Sequence, residues 1–144
     1  MKFIAITENF LQDPLIRKHE RVLSVCGSVL DMYKHTRQSS PWLGYLCQID
    51  KQWVGTCAFK GNPQQGRVEI AYFTFPEYEG KGYATAMAAR LVAMAKSEDP
   101  HIEVFAQTLP VNNASTHILQ KLGFKFLKEI VHSEDGLVWE WSSH

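Results

Sequence analysis

The chain has 144 residues, of which 45% are hydrophobic and 21% are charged, a composition typical of one globular domain. Fifteen basic and fifteen acidic residues cancel, so no excess charge would attract a nucleic acid or an anionic membrane. No apolar run has the length of a membrane span, and the first residues do not resemble a signal peptide. We therefore expect one cytoplasmic domain over residues 1–144, with neither a nucleic acid nor a membrane as partner.

Cysteine and histidine spacing argues against a disulfide framework and against a metal site. The three cysteines are odd in number and show no CxxC pair, which favours reduced core thiols at Cys26, Cys47 and Cys57. His117 and His132 stand without partner ligands at metal spacing. We expect no metal.

Hydrophobic periodicity and turn residues divide the chain into alternating strands and helices. Asp13 followed by Pro14 is typical of a helix start, and Gly27 is where this helical stretch would divide if it forms two helices. In chain order the pattern predicts a strand over 2–7, one or two helices over 13–34, strands over 42–49, 53–59 and 68–75, a helix over 84–97, a strand over 101–108, a helix over 112–122 and strands over 124–131 and 137–141. We write this order as βααββββαβαββ, to within one element, which indicates a mixed α/β domain.

The stretch from Val68 to Ser97 carries the clearest functional pattern. An apolar strand ends at Pro76, two glycines follow at Gly80 and Gly82, and a helix-periodic segment begins at Ala84. The start of a helix leaves about four backbone N–H groups free, and the helix dipole adds roughly half a positive charge there. Strand, glycine turn and helix together therefore predict a phosphate site.

Two common phosphate motifs fit this turn poorly. The P-loop pattern GxxxxGK[ST] is absent, which argues against an NTPase. The dinucleotide pattern GxGxxG begins correctly at Gly80 and Gly82, but Thr85 stands where its third small residue should be. A nucleotide-binding domain that uses the same glycine turn remains a weaker alternative.

The turn instead resembles the pyrophosphate loop [QR]xxGx[GA] of the GCN5-related N-acetyltransferases (GNATs). It reads EGKGYA over residues 79–84, with Glu79 in place of the usual Gln or Arg. A second segment, NNAS over 112–115 followed by LQKLGF over 119–124, resembles the family's NxxS…LxKxGF signature. Two motifs in the correct order and separation are more specific than either alone, and the resemblance extends over residues 42–131.

The resemblance implies a single-domain GNAT-like fold, a mixed and splayed β-sheet flanked by helices. It implies acetyl-CoA as co-substrate, with the pantetheine arm in the gap between the strands over 68–75 and 101–108. A splayed sheet offers unpaired N–H and C=O groups to such an arm. The coenzyme contacts that it implies are the backbone of Phe73, Thr74 and Phe75, the turn residues Lys81, Gly82, Tyr83, Ala84 and Thr85, and the side chain of Asn112, which also suits a helix N-cap.

The implied reaction moves an acetyl group to a primary amine by direct attack in a ternary complex. Glu69 is the candidate base, although a solvated carboxylate on an open strand face is the alternative. Many relatives place a tyrosine acid four residues before the Gly-Phe pair, where this chain has Leu119. Ser115, Asn112 or a water could replace that acid, or none is needed, because a thiolate is a tolerable leaving group.

The sequence does not identify the acceptor, which we expect to be an amine on a small molecule or a peptide. The resemblance is also compatible with a homodimer. The departures at Glu79 and Leu119 leave one alternative from another class, a catalytically inactive CoA-binding sensor or scaffold.

Overall fold

The computed structural model describes residues 1–144 as one open seven-stranded sheet with helices packed on both faces. The strands are β1 (Lys2–Ala5), β2 (Gly44–Ile49), β3 (Gln52–Phe59), β4 (Arg67–Thr74), β5 (Glu103–Thr108), β6 (Lys125–His132) and β7 (Gly136–Ser142). The helices are α1 (Pro14–Arg17), α2 (Glu20–Thr36), α3 (Tyr83–Glu98) and α4 (Ala114–Lys121), with 3₁₀ turns at Glu8–Gln12 and Pro76–Tyr78. None of the helices has the length and apolar character needed to cross a membrane.

Most of the predicted elements are present, and two details differ from the prediction. Asp13 caps α1 as expected, since its Oδ1 accepts a hydrogen bond of 2.9 Å from the amide of Leu15. The first helical stretch divides at Lys18 and His19, and Gly27 lies inside α2. The three strands predicted over 42–49, 53–59 and 68–75 are all present between α2 and α3, where the written order, given to within one element, has four.

The sheet has the order β1-β2-β3-β4-β5-β7-β6, and β4 with β5 is its parallel pair. These two strands are joined only at one end, where Arg67, Val68 and Glu69 lie opposite Glu103, Val104 and Phe105. The remainder of β4, Ile70–Thr74, has no partner in β5 and pairs only with β3. The sheet is therefore splayed in its middle, as the resemblance implied.

Two hydrophobic clusters hold the helices against opposite faces of the sheet. The larger cluster joins Ile70 of β4 to Met87 and Leu91 of α3. The smaller one contains Val22 of α2 and Phe75, which follows β4. Successive residues of a strand point to opposite faces, so β4 contributes alternately to the α3 face and to the α2 face. The three cysteines are buried free thiols.

Candidate active site at the divergence of β4 and β5

The hydrogen-bond ladder decides which backbone groups of β4 point into the gap. The amide of Lys60 donates to the carbonyl of Glu69, and the amide of Phe75 donates to the carbonyl of Val54. The backbone groups that bond to β3 therefore belong to odd-numbered residues, from Glu69 in β4 to Phe75 just after it. Bonding direction alternates along an antiparallel pair. Tyr72 and Thr74 therefore direct their N–H and C=O groups toward the gap.

This alternation of backbone direction corrects two of the predicted coenzyme contacts, those of the backbone of Phe73 and Phe75. Phe73 and Phe75 belong to the residues that face β3, so their backbone is not free for an arm in the gap. The side chain of Phe75 is also fully buried in the smaller cluster. Thr74 therefore remains a candidate for backbone contact with the coenzyme, and Tyr72 becomes a second candidate.

Thr74 carries an unsatisfied polar atom. Its Oγ1 is buried and has no hydrogen-bond partner, and it is the one buried side-chain nitrogen or oxygen in the chain of which this is true. Leaving such a group unpaired costs about 1–3 kcal/mol, so native proteins rarely do so without a functional reason.

The glycine turn prepares a second contact. Gly80 and Gly82 adopt φ angles of 78° and 82°, the left-handed region that glycine enters at little cost. Gly82 is the N-cap of α3 without a side chain to cap it, and no backbone amide from Gly80 to Thr85 donates a hydrogen bond within the protein. These free amides and the helix dipole suit a pyrophosphate.

A groove of about 460 Å³ connects the turn with the gap. Its walls come from the end of β4, the glycine turn, the first turn of α3 and the first turn of α4. The lining residues are Tyr72, Phe73, Thr74, Tyr78, Glu79, Gly80, Gly82, Tyr83, Ala84, Thr85, Ala114, Ser115, His117 and Ile118. The structure thus brings most of the predicted coenzyme residues together with Ser115, but Lys81, Phe75 and Asn112 do not line this groove.

The N-cap of α4 is Asn113, and the prediction of Asn112 was wrong. The Oδ1 of Asn113 accepts from the amide of Thr116 at 3.1 Å, and the Oγ1 of Thr116 accepts from the amide of Asn113 at 2.9 Å. This reciprocal pair is a capping box. Both asparagines have a hydroxyl residue three positions later, Ser115 after Asn112 and Thr116 after Asn113, so the sequence pattern alone did not distinguish them.

Tyr72 lines the inner end of the groove, whereas Leu119 does not line it. Leu119 is fully buried in the larger cluster, so α4 offers no acid at that position. The hydroxyl of Tyr72 crosses from β4 to α4 and donates to the carbonyl of Ser115 at 3.3 Å. Burial raises the pKa of Tyr72 to about 12.

Glu69 lies where β4 and β5 separate, because it forms their last pair, with Phe105. Its side chain is 19% exposed, and its Oε2 lies 3.7 Å from Nζ of Lys60. Burial raises the pKa of Glu69, and the nearby Lys60 opposes that rise. Ile70 packs on α3, so Glu69 faces the α2 side of the sheet.

A polar cavity of about 450 Å³ surrounds Glu69 on that side. Its lining includes His35 and Thr36 from the end of α2, and Lys60, Arg67 and Phe105 from the sheet. Polar groups converging beside a carboxylate of raised pKa are typical of a substrate site.

Arg67 organises the floor of the polar cavity. Its Nε donates to Glu103 at 2.8 Å, and its Nη2 donates to Glu140 at 3.1 Å. The hydroxyl of Ser142 donates to the second oxygen of Glu103 at 2.6 Å. These hydrogen bonds join β4, β5 and β7 below the cavity.

A third, apolar hollow of about 240 Å³ lies between the groove and the polar cavity. It shares Tyr72 and Phe73 with the groove and Lys60 with the polar cavity. The three hollows are therefore adjacent along β4, with the glycine turn at one end and Glu69 at the other.

A splayed parallel pair beside an amide-lined glycine turn agrees with the family comparison. The family model described as acetyltransferase (GNAT) domain matches residues 4–125. The chain belongs to this family. The predictions of the GNAT family, of the fold class and of the enzyme class as an N-acetyltransferase are confirmed.

Solved GNAT structures share this architecture at low sequence identity. A chimera of the spermidine N-acetyltransferase SpeG from Vibrio cholerae and hSSAT is 14% identical, with a TM-score of 0.70 over 99% of this chain and 94% of that one. The ribosomal-protein-alanine N-acetyltransferase from Brucella melitensis is 15% identical, with a TM-score of 0.69 over 99% and 98%.

RimL, a ribosomal alpha-N-protein acetyltransferase solved in complex with coenzyme A, is 14% identical, with a TM-score of 0.65 over 85% of this chain and 71% of that one. No curated protein matches the sequence significantly. At these identities the likeness of the solved structures concerns the fold.

Sequence reasoning missed the polar floor of this GNAT domain and the position of Tyr72. Arg67 and Glu69 are two apart on one strand, and Glu103 and Phe105 are two apart on its neighbour. That alternation was a usable signal that these side chains share a face. Glu140 gave no comparable signal, since its place depends on the pairing of β7 with β5.

Proposed function

We propose that this GNAT domain transfers the acetyl group of acetyl-CoA to a primary amine by direct attack within a ternary complex. The observation that carries the proposal is the unpaired end of β4, where Thr74 holds a buried hydroxyl without a partner next to the free amides of the glycine turn. The unpaired backbone groups of β4 suit the amides in the arm of the coenzyme, and the free amides of the glycine turn suit its pyrophosphate.

The coenzyme would lie along the groove of about 460 Å³. Its arm would pair with the backbone of Tyr72 and Thr74, much as an added strand would. Its pyrophosphate would accept hydrogen bonds from the amides of Lys81 to Thr85, and the exposed side chain of Lys81 would supply a further cationic partner.

The reaction then makes three demands on the protein. As the amine nitrogen bonds to the thioester carbon, the carbonyl oxygen becomes negative, and an amide that points into the gap can stabilise it by about 3–4 kcal/mol. The amine must lose a proton, which Glu69 takes directly or through a water. The C–S bond then breaks, and its electron pair leaves with the sulfur as a thiolate.

The position of Glu69 supports its role as base. It ends the paired part of β4 and lines the polar cavity, while the glycine turn lies at the far end of the same strand. Its raised pKa makes the carboxylate a better proton acceptor than an exposed glutamate. Ser115 remains a second candidate catalytic residue on the opposite wall.

The polar cavity is where the acceptor amine would bind. The solved relatives are titled as enzymes for spermidine and for ribosomal proteins, so both small-molecule and peptide amines are represented among similar folds. For this chain we propose an amine acceptor of one of these two kinds and a cytoplasmic domain over residues 1–144. A homodimer is also part of the proposal.

A screen of amine acceptors tests the proposal. The protein is mixed with acetyl-CoA and a panel of polyamines, amino acids, and lysine or N-terminal peptides, and released CoA is followed with a thiol reagent. We expect acceptor-dependent CoA release. Tight binding of acetyl-CoA with no release for any amine would favour the sensor or scaffold, and competition by NAD or ATP but not by CoA would favour a nucleotide-binding domain.

A further inference from the structure

We propose that the hydroxyl of Tyr72 donates a hydrogen bond to the departing CoA thiolate, exchanging its present partner, the carbonyl of Ser115, for the sulfur. The inference rests on the proposed function, since it assigns a role in the same reaction. It gives a specific residue to a step for which the usual tyrosine position on α4 provides no acid, because that position holds Leu119, which is fully buried in the core.

Tyr72 lies between the two ends of the site along β4. The pyrophosphate turn begins after Pro76, and the candidate base Glu69 lies at the other end of the strand. The thioester must lie between them for the amine beside Glu69 to reach it. Tyr72 occupies that interval, and it lines both the coenzyme groove and the apolar hollow next to the polar cavity.

The side chain of Tyr72 also points into the groove. Tyr72 reaches across the groove from β4 to the first turn of α4, where its hydroxyl donates to a backbone carbonyl at 3.3 Å. That distance is long for a hydroxyl donor, whose usual range ends near 3.0 Å. Breaking this hydrogen bond therefore costs little when a sulfur anion forms in the same groove and accepts the hydroxyl instead.

The other hydroxyl groups in the groove lie at different positions along it. Tyr78, Tyr83 and Thr85 belong to the glycine turn and the start of α3, at the pyrophosphate end. Thr74 precedes that turn by few residues, and its buried Oγ1 suits an amide of the arm. Ser115 shares the inner end with Tyr72, so these two residues are the ones that an experiment must separate.

The chemistry balances without a change in the net charge of Tyr72. The N–C bond forms, the C–S bond breaks, the amine proton goes to Glu69 or to water, and the phenol keeps its proton while it stabilises the thiolate. Burial raises the pKa of Tyr72 to about 12, above the value near 8.5 of a free thiol, so the phenol remains a donor throughout the range in which the thiolate forms.

The test compares Tyr72→Phe with Tyr45→Phe. Tyr45 is a matched control, because its hydroxyl also donates to a carbonyl, that of Pro41 at 2.6 Å, its pKa is also raised to about 12, and it does not line the groove. We expect Tyr72→Phe to lower kcat about 10- to 100-fold, the range for a lost hydrogen bond to a charged group, with the KM for acetyl-CoA nearly unchanged. Tyr45→Phe should keep the kcat of the parent protein.

A second measurement does not need acetyl transfer. The ultraviolet absorbance of the thiolate is followed against pH for CoA bound to each variant. In the parent protein the pKa of the bound thiol should fall below 8.5, and Tyr72→Phe should return it toward that value.

Four results would overturn the assignment. They are unchanged kcat in Tyr72→Phe of an active enzyme, an unchanged thiol pKa in that variant, a loss confined to CoA affinity, and a shift of the thiol pKa caused by Ser115→Ala instead. A parent protein that binds CoA with a lowered thiol pKa but acetylates no amine would refute the proposed function and leave the thiolate contact of Tyr72 standing.

Discussion

The carboxylate of Glu69 lies 3.7 Å from the ammonium of Lys60, at the residue where β4 parts from β5. Burial raises the pKa of Glu69, the positive charge of Lys60 lowers it, and the nearby carboxylate of Glu140 raises it again, with a net rise. The protein thus holds a carboxylate that is more basic than an exposed one and keeps a cation beside it that limits the effect.

Replacing Glu69 by Gln should remove the base while preserving the shape of the side chain. A positioned general base contributes about 10²–10⁴-fold, so kcat should fall within that range. The parent enzyme should gain activity as the pH rises through the pKa of Glu69, which lies above the ordinary value near 4.3, because only the ionised carboxylate accepts a proton. Rate profiles at saturating amine measure both effects, and a variant with full activity would mean that Glu69 is not the base.

Lys60→Met should move the acidic limb of the pH–rate profile, where activity rises as Glu69 ionises, to higher pH. Removing the cation withdraws an influence that lowers the pKa of Glu69, so that pKa should rise, and because Lys60 is partly exposed to solvent the rise should shrink at high salt. Lys51→Met provides a control with the same change of charge outside the polar cavity. An acidic limb at the same pH in Lys60→Met and in the parent would assign it to a group other than Glu69.

The outline of the fold was accessible from sequence because it depends on local signals. The Asp13–Pro14 start, the turn with Gly80 and Gly82, and the period of α3 are each encoded within a few residues. The direction of the backbone at Phe73 and Phe75 was not accessible, since it depends on which residues of β3 lie opposite them. The floor at Arg67 likewise joins three strands that are distant in sequence.

Gly82→Glu should abolish acetyl-CoA binding and leave the domain folded. A Cβ at Gly82 meets no protein atom within 4 Å, so the new side chain would occupy the open space above the turn that the pyrophosphate needs. Gly136→Glu is the matched control, since Gly136 also has a positive φ, of 74°, and open space around it, but lies in the β6–β7 turn. Calorimetric titration of both variants with acetyl-CoA is the measurement, and equal affinity in the two would count against a pyrophosphate at this turn.

Glu79→Gln should tighten acetyl-CoA binding. Glu79 lines the groove beside Gly80, where its carboxylate would repel the pyrophosphate, and Gln is one of the residues that the family pattern has at that position. Loss of one repulsion of about 1 kcal/mol corresponds to a Kd some fivefold lower at low salt, with the gain shrinking as salt rises. Glu98→Gln makes the same charge change at the other end of α3. If both variants gained equally, the effect would reflect net charge and not the turn.

Glu103→Gln should destabilise the fold at neutral pH and lose that effect in acid. The hydroxyl of Ser142 and the guanidinium of Arg67 hold the pKa of Glu103 below its ordinary value. A carboxyl with a lowered folded pKa contributes stability above its unfolded pKa, near 4.3, and loses it as the pH falls through the folded value. The side chain is mostly buried, so the loss at pH 7 should be about 1–3 kcal/mol in urea unfolding. As the pH falls through the folded pKa of Glu103 the curves of the variant and the parent should converge, whereas the exposed control Glu134→Gln should match the parent throughout. A difference that persisted undiminished in acid would show that Glu103 acts through packing and not through its charge.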